Sequence, residues 1–121
     1  MIIVDTSVWI DHFRAPDTNL ANLIAEGDIG LHPFVLGELL LGGLPAAGEV
    51  SRLLDQLAQP PMASVQETAA FIAWGRLAGT GIGYVDVSLL VSAKLLGTGT
   101  VLTKDKWLHA QANRLALAYT A

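Results

Sequence analysis

Four short apolar runs limit what this chain can fold into more than any other feature: Ile2 to Val4, Ile29 to Leu31, Thr100 to Thr103 and Leu117 to Tyr119. Each is too short to make a helix. None shows the sustained polar and apolar alternation of a strand with one wet face, so each reads as a strand buried on both sides. Helical spacing fills the segments between them. Thr6 to Phe13 follows the first run as a short helix and breaks at Ala15-Pro16-Asp17, after which Leu20, Leu23 and Ile24 repeat at helical intervals up to Gly27. Pro33 suits a helix start, Phe34 to Leu41 continue that helix, and Gly42-Gly43 with Pro45 end it. Val50, Leu53, Leu54 and Leu57 mark the next helix, stopped by Pro60-Pro61. Ser64-Val-Gln-Glu67 is a capping-box pattern that opens a helix running through Phe71 and Trp74 to about Gly79. Tyr84 to Leu96, ended by Gly97, and Lys106 to Leu115 complete the set. Short strands alternating with helices predict an α/β domain with a small, mostly parallel sheet covered on both faces.

The length of 121 residues predicts one domain over 1–121, and the 52% hydrophobic content supplies its core. No uncharged run reaches the roughly 18 residues needed to span a bilayer, and the first residues lack the basic start of a signal peptide, so a cytoplasmic location is expected. The absence of cysteine excludes thiol nucleophiles and thiolate metal sites. A net charge of −4 argues against gripping nucleic acid by basic surface alone, so phosphate chemistry would need a cation.

Of the eleven acidic residues, four stand where a solvated charge is not expected. Glu38 has Phe34, Val35, Leu41 and Gly42 three and four positions away on its helix, and Asp86 has Ile82, Gly83, Leu89 and Leu90. Asp5 and Asp105 follow strands. Asp5, Asp86 and Asp105 could each be an ordinary helix N-cap, and Glu38 could be held by a buried ion pair. In parallel α/β sheets, however, ligand sites assemble where strands end and helices begin. Carboxylates gathered there repel one another unless a divalent cation neutralises them, and an oxygen-only set suits Mg²⁺ or Mn²⁺ better than zinc.

Asp5 in "IIVDTSVWID", Glu38 in "HPFVLGELLLG", Asp86 in "GIGYVDVSLLVSAKLLG" and Asp105 in "TVLTKDKWL" resemble, in order and context, the motifs of PIN-domain ribonucleases, and most closely those of VapC toxins. The resemblance spans essentially the whole chain. It implies a three-layer α/β/α sandwich in which the four carboxylates meet in one metal-binding cleft. It also implies Mg²⁺- or Mn²⁺-dependent endonucleolytic cleavage of RNA, restrained by a VapB-like antitoxin whose C-terminal segment covers the cleft of a homodimer. Asp5, Glu38 and Asp86 match the acidic positions the family uses most consistently, and Asp105 a more variable fourth. Thr6 or Ser7, and Thr103, match hydroxyls that line such clefts.

On this reading the carboxylates hold the metal and water is the nucleophile, in keeping with the lack of a persuasive Ser/His/Asp arrangement. Lys104 and Lys106 flank Asp105 and could meet RNA phosphates, with Arg14, Arg76 and Arg114 as further helpers. Trp9, Trp74 and Trp107 could stack on bases, although their helical spacing also suits core or interface positions. His32, before Pro33, reads as structural. Gly79-Thr-Gly81-Ile-Gly83 lacks the last glycine of a dinucleotide loop and reads as a connection. Three other readings compete. A receiver domain would want an acidic pair after the first strand, and a haloacid dehalogenase-type phosphatase would want Asp-x-Asp there, whereas Asp5 is followed by Thr6 and Ser7. A non-catalytic PIN-like binding module with a vestigial metal site is the third.

Overall fold

Ile2–Val4 forms β1, the middle strand of a three-stranded parallel sheet, with all three residues buried. Successive side chains of a strand point to opposite faces, so burial of all three means that both faces are covered. β2 (Ile29–Gly30) pairs Ile2 with Ile29 and Ile3 with Gly30 on one side. β3 (Thr100–Leu102) pairs on the other, with Val4 opposite Leu102. In a computed structural model describing residues 1–43 and 47–120, seven helices surround this sheet: α1 (Thr6–Arg14), α2 (Thr18–Ala25), α3 (Pro33–Leu41), α4 (Ala47–Gln56), α5 (Val65–Gly75), α6 (Tyr84–Leu95) and α7 (Lys106–Arg114). α6 packs on β1 and β3 with α5 outside it, α7 packs on β3, and α1 meets α3. The buried Ile3, Val4, Trp9, Val35, Leu39, Leu89, Leu90, Val101 and Leu108 join these layers into one core. No helix among the described residues is long and apolar enough to cross a membrane.

Several elements depart from the expectations above, β2 among them, which ends at Gly30 instead of Leu31. α5 stops at Gly75 instead of running to about Gly79, because Arg76 takes the left-handed conformation (φ 51°). Arg76 N–H then donates to the Ala73 carbonyl and Leu77 N–H to that of Ile72, a Schellman closure. Such closures usually use glycine, so an arginine there leaves no signal in the sequence. The run Leu117 to Tyr119 is not a strand but a single bridge between Ala118 and Val101. Its lead-in, Ala116, is also left-handed (φ 59°), and Leu117 N–H turns back to Ala112 O. The third strand is one residue shorter than expected, Thr103 having left the ladder. Pro45, expected to help end α3, lies outside the described residues.

Where expectation and structure agree, the reason is local chemistry. Ser64 and Glu67 close a full capping box on α5. Pro33 occupies the first turn of α3, with the Nδ1 of buried His32 accepting the Phe34 N–H at 3.0 Å. Burial pushes the His32 imidazole pKa down, which keeps that lone pair free to accept.

The left-handed Ala116 is exposed, and a Cβ there works against the backbone. Ala116→Gly is therefore expected to stabilise the chain by about 0.5–1 kcal/mol, relief of left-handed strain exceeding the extra freedom of the unfolded chain. Urea unfolding checks it: the midpoint should rise at constant slope.

Candidate metal centre

In the strand order β2-β1-β3, the chain steps from β1 to one side and later crosses to the other, so the strand order switches between β1 and β3 while all strands stay parallel. The carboxyl ends of those two strands frame the crevice where open α/β sheets bind ligands. Asp5 leaves β1 there, its N–H donating to Leu102 O at 2.9 Å, and Thr103 to Asp105 leave β3 beside it.

Asp5 is buried, and both of its oxygens accept hydrogen bonds. Oδ1 takes the Thr6 N–H at 2.8 Å, while Oδ2 takes the Thr103 hydroxyl at 2.7 Å and the Ser7 hydroxyl at 3.3 Å. Thr103 Oγ1 also accepts the Asp105 N–H at 3.0 Å, so one hydroxyl ties the two strand ends together. Asp105 caps α7, its Oδ1 accepting from Trp107 N and Leu108 N. From α3, the Glu38 Oε1 accepts the Thr6 hydroxyl at 2.6 Å. Asp86 sits at the third position of α6 rather than its cap, and its Oδ2 accepts the N–H of the capping residue Gly83 at 3.0 Å.

Capping thus leaves one oxygen of Asp86 and one of Asp105 available to a ligand, because the backbone N–H groups use only the other. Asp86 Oδ1, Asp105 Oδ2 and Glu38 Oε2 make no hydrogen bond to protein among the described residues. Burial raises the Asp86 carboxyl pKa above its ordinary value; the Gly83 N–H opposes this, and the charges of Asp5, Asp105 and Glu38 add to the rise. Asp86 therefore feels the field of the other three carboxylates.

No group of three or more His, Asp or Glu side chains among the described residues stands ready to hold an ion by itself. Mg²⁺ characteristically keeps several waters and takes one or two carboxylates directly. The donor set, all oxygen with no cysteine or histidine in it, suits the same class of cation.

Several expectations about individual residues need correction. Glu38 does not lie on a buried face: it is exposed, and its neighbours Phe34 and Leu41 are themselves 36% and 91% exposed. α3 is apolar nearly all round, so apolar neighbours say nothing about depth. Lys104 makes an ion pair, its Nζ 2.9 Å from Asp11 Oδ2, and this hydrogen bond lowers the Asp11 carboxyl pKa. Asp11 had no assigned role in the sequence, and a partner 93 residues away leaves no local signal. Arg114 is occupied with the Gly75 carbonyl and Gln111, and Arg76 is the helix stop. Arg14 and Lys106 are exposed.

A family model described as the PIN domain matches residues 2–113. The chain belongs to the PIN-domain family. Within it the chain sits with the VapC-type ribonucleases. The curated relative ribonuclease VapC32 of Mycobacterium tuberculosis is 43% identical over 110 residues, covering 91% of this chain and 89% of the relative. Two solved PIN-like structures share the fold. PAE2754 from Pyrobaculum aerophilum superposes with a TM-score of 0.62 at 15% identity, over 92% of this chain and 78% of that one. FitAcB from Neisseria gonorrhoeae superposes with a TM-score of 0.62 at 22% identity, over 93% and 94%. This PIN domain is accordingly an α/β sandwich, as its residue pattern predicts.

Proposed function

We propose that this PIN domain is a metal-dependent endoribonuclease, the toxin of a toxin–antitoxin pair, and that Asp5, Glu38, Asp86 and Asp105 hold its Mg²⁺ or Mn²⁺. The observation that carries this is the half-buried Asp86, whose charge is opposed by those of Asp5, Asp105 and Glu38. Like charges so arranged cost stability, and a cation removes that cost. A relative named as a ribonuclease, 43% identical, supports RNA as the substrate.

A divalent cation, when bound, lowers the pKa of a water and offsets charge on the scissile phosphate. The chain's own part is to hold geometry. Thr103 fixes Asp5 and the Asp105 backbone together, Thr6 fixes Glu38, Ser7 adds a weaker bond to Asp5, and Gly83 N–H aims Asp86. Attack by water leaves no adduct on the chain and needs no nucleophilic side chain. The competing reading is a non-catalytic binding module with a vestigial metal site.

We also propose that the protein acts in the cytoplasm as a homodimer and that a VapB-like antitoxin covers the cleft. Exposed Phe34, Leu40 and Leu41 on the helix that carries Glu38 supply apolar surface for such a partner.

Labelled total RNA incubated with purified protein is expected to yield discrete fragments with Mg²⁺ or Mn²⁺ and none with EDTA. Isothermal titration of the metals runs beside it. Neither cleavage nor metal binding would leave the binding-module reading.

A further inference from the structure

We infer that Trp107 is the platform on which a nucleobase of the substrate RNA stacks beside the scissile phosphate, with Lys106 turning to the adjoining phosphate; this rests on the ribonuclease reading above. The sequence leaves a problem that this solves. A chain of net charge −4, whose Lys104 is already paired with Asp11, has little basic surface with which to hold RNA. Stacking supplies affinity that does not depend on net charge.

The three tryptophans differ sharply in place. Trp9 is fully buried and stacks on Phe13. Trp74, 57% exposed, lies on α5, where it packs on Phe71 and under the Lys94 ammonium 4.1 Å away; what sets Trp107 apart is its neighbourhood and not its exposure. Trp107 is 55% exposed, and its backbone N–H donates to the carboxylate of Asp105, so its backbone is tied to a candidate metal ligand two residues away. The six-membered part of its indole lies 3.9 Å from where a Cβ on Gly81 would be, so the ring borders a backbone free of side chain there. Gly81 lies two residues before Gly83, whose N–H holds Asp86. Trp107 therefore touches the loop that aims one carboxylate while being held by another.

Burial does not account for so large an exposed ring. Its flanking cation, Lys106, stands 5.3 Å from the ring centroid. Such an exposed contact is weak, and a phosphate would draw the ammonium off and free the ring for a base. The ring's sequence neighbours are charged, residues 104–107 being Lys, Asp, Lys and Trp, while the exposed aliphatic residues Leu40 and Leu41 lie apart on α3.

The test measures the affinity of a fluorescently labelled single-stranded RNA oligonucleotide by anisotropy in EDTA, and separately kcat and KM in Mg²⁺, for wild type, Trp107→Ala, Trp107→Phe and Trp74→Ala. Trp107→Ala should weaken binding and raise KM about ten-fold with a much smaller change in kcat. Trp107→Phe should recover most of the loss, and Trp74→Ala should match wild type. The loss should be as large at high salt as at low, since stacking releases no counterions. Unchanged RNA affinity in Trp107→Ala overturns the inference while leaving cleavage by wild type to speak for the nuclease. Weakened binding in Trp107→Ala with no cleavage by wild type would keep Trp107 as an RNA-stacking residue but overturn the ribonuclease reading, and with it the platform's place beside a scissile phosphate. Loss of antitoxin binding with RNA affinity intact would assign the ring to a protein partner and overturn the inference.

Discussion

Asp86→Asn is expected to lose RNA cleavage by about three orders of magnitude, the equivalent of roughly 4 kcal/mol of transition-state stabilisation. In the same variant the melting temperature without metal should rise. The two effects have one cause. Burial and the charges of Asp5, Asp105 and Glu38 make the ionised form of Asp86 costlier in the folded chain than in the unfolded one. With the folded pKa raised, that cost is present in full above the raised value, shrinks as pH falls through it, and vanishes below the ordinary carboxylate range. The neutral amide escapes the cost at pH 7, so the gain over wild type should fade on acidification. Added Mg²⁺ should stabilise wild type more than the variant, because binding to the native state alone adds stability. Thermal melts across pH, with and without Mg²⁺, check the stability part, and cleavage assays the catalytic part. Full activity in the variant, or a melting temperature below wild type at neutral pH, would contradict the site.

Gly99→Ala should be the most damaging small change in the fold. A Cβ at this position would lie 2.7 Å from the Ala93 carbonyl oxygen, 2.9 Å from its Cα and 2.9 Å from Leu96 Cδ1. Two of those atoms are backbone and cannot swing aside. The expected cost is about 2–3 kcal/mol, or a fall in melting temperature of roughly 10 °C for a chain of this size. Gly99 is where the end of α6 comes closest to the start of β3, so the clash displaces the strand that delivers Thr103 to Asp5. Gly37→Ala is the matched control: its Cβ would meet nothing within 4 Å in the middle of α3, and helix propensity should make it stabilising by about 0.5–1 kcal/mol. Differential scanning calorimetry on both variants separates close packing from a generic intolerance of alanine.

Much of this site is legible along the chain because its signals are local. A β-branched run ending in aspartate, a hydroxyl beside it, and Gly-x-x-Asp at a helix start are patterns of neighbours, and the structure uses Asp5, Asp86 and Asp105 in those local roles. Glu38 illustrates the opposite case. Its position is readable in the sequence, but the inference that it is buried fails, since only packing determines which side of a uniformly apolar helix meets the core.

What the sequence alone determined, then, is the set of strands and helices, the carboxylates at their junctions and the caps that hold them, because backbone hydrogen bonding and side-chain periodicity act within a few residues. Tertiary structure decided the rest. It brought Thr103 to Asp5 across 98 residues and Thr6 to Glu38 across 32, drew Lys104 onto Asp11, ended α5 on a left-handed arginine, reduced the last run to one bridge, and buried Trp9 while leaving Trp107 exposed. Each of these depends on which surfaces meet when the sheet closes, and short-range periodicity carries no record of that.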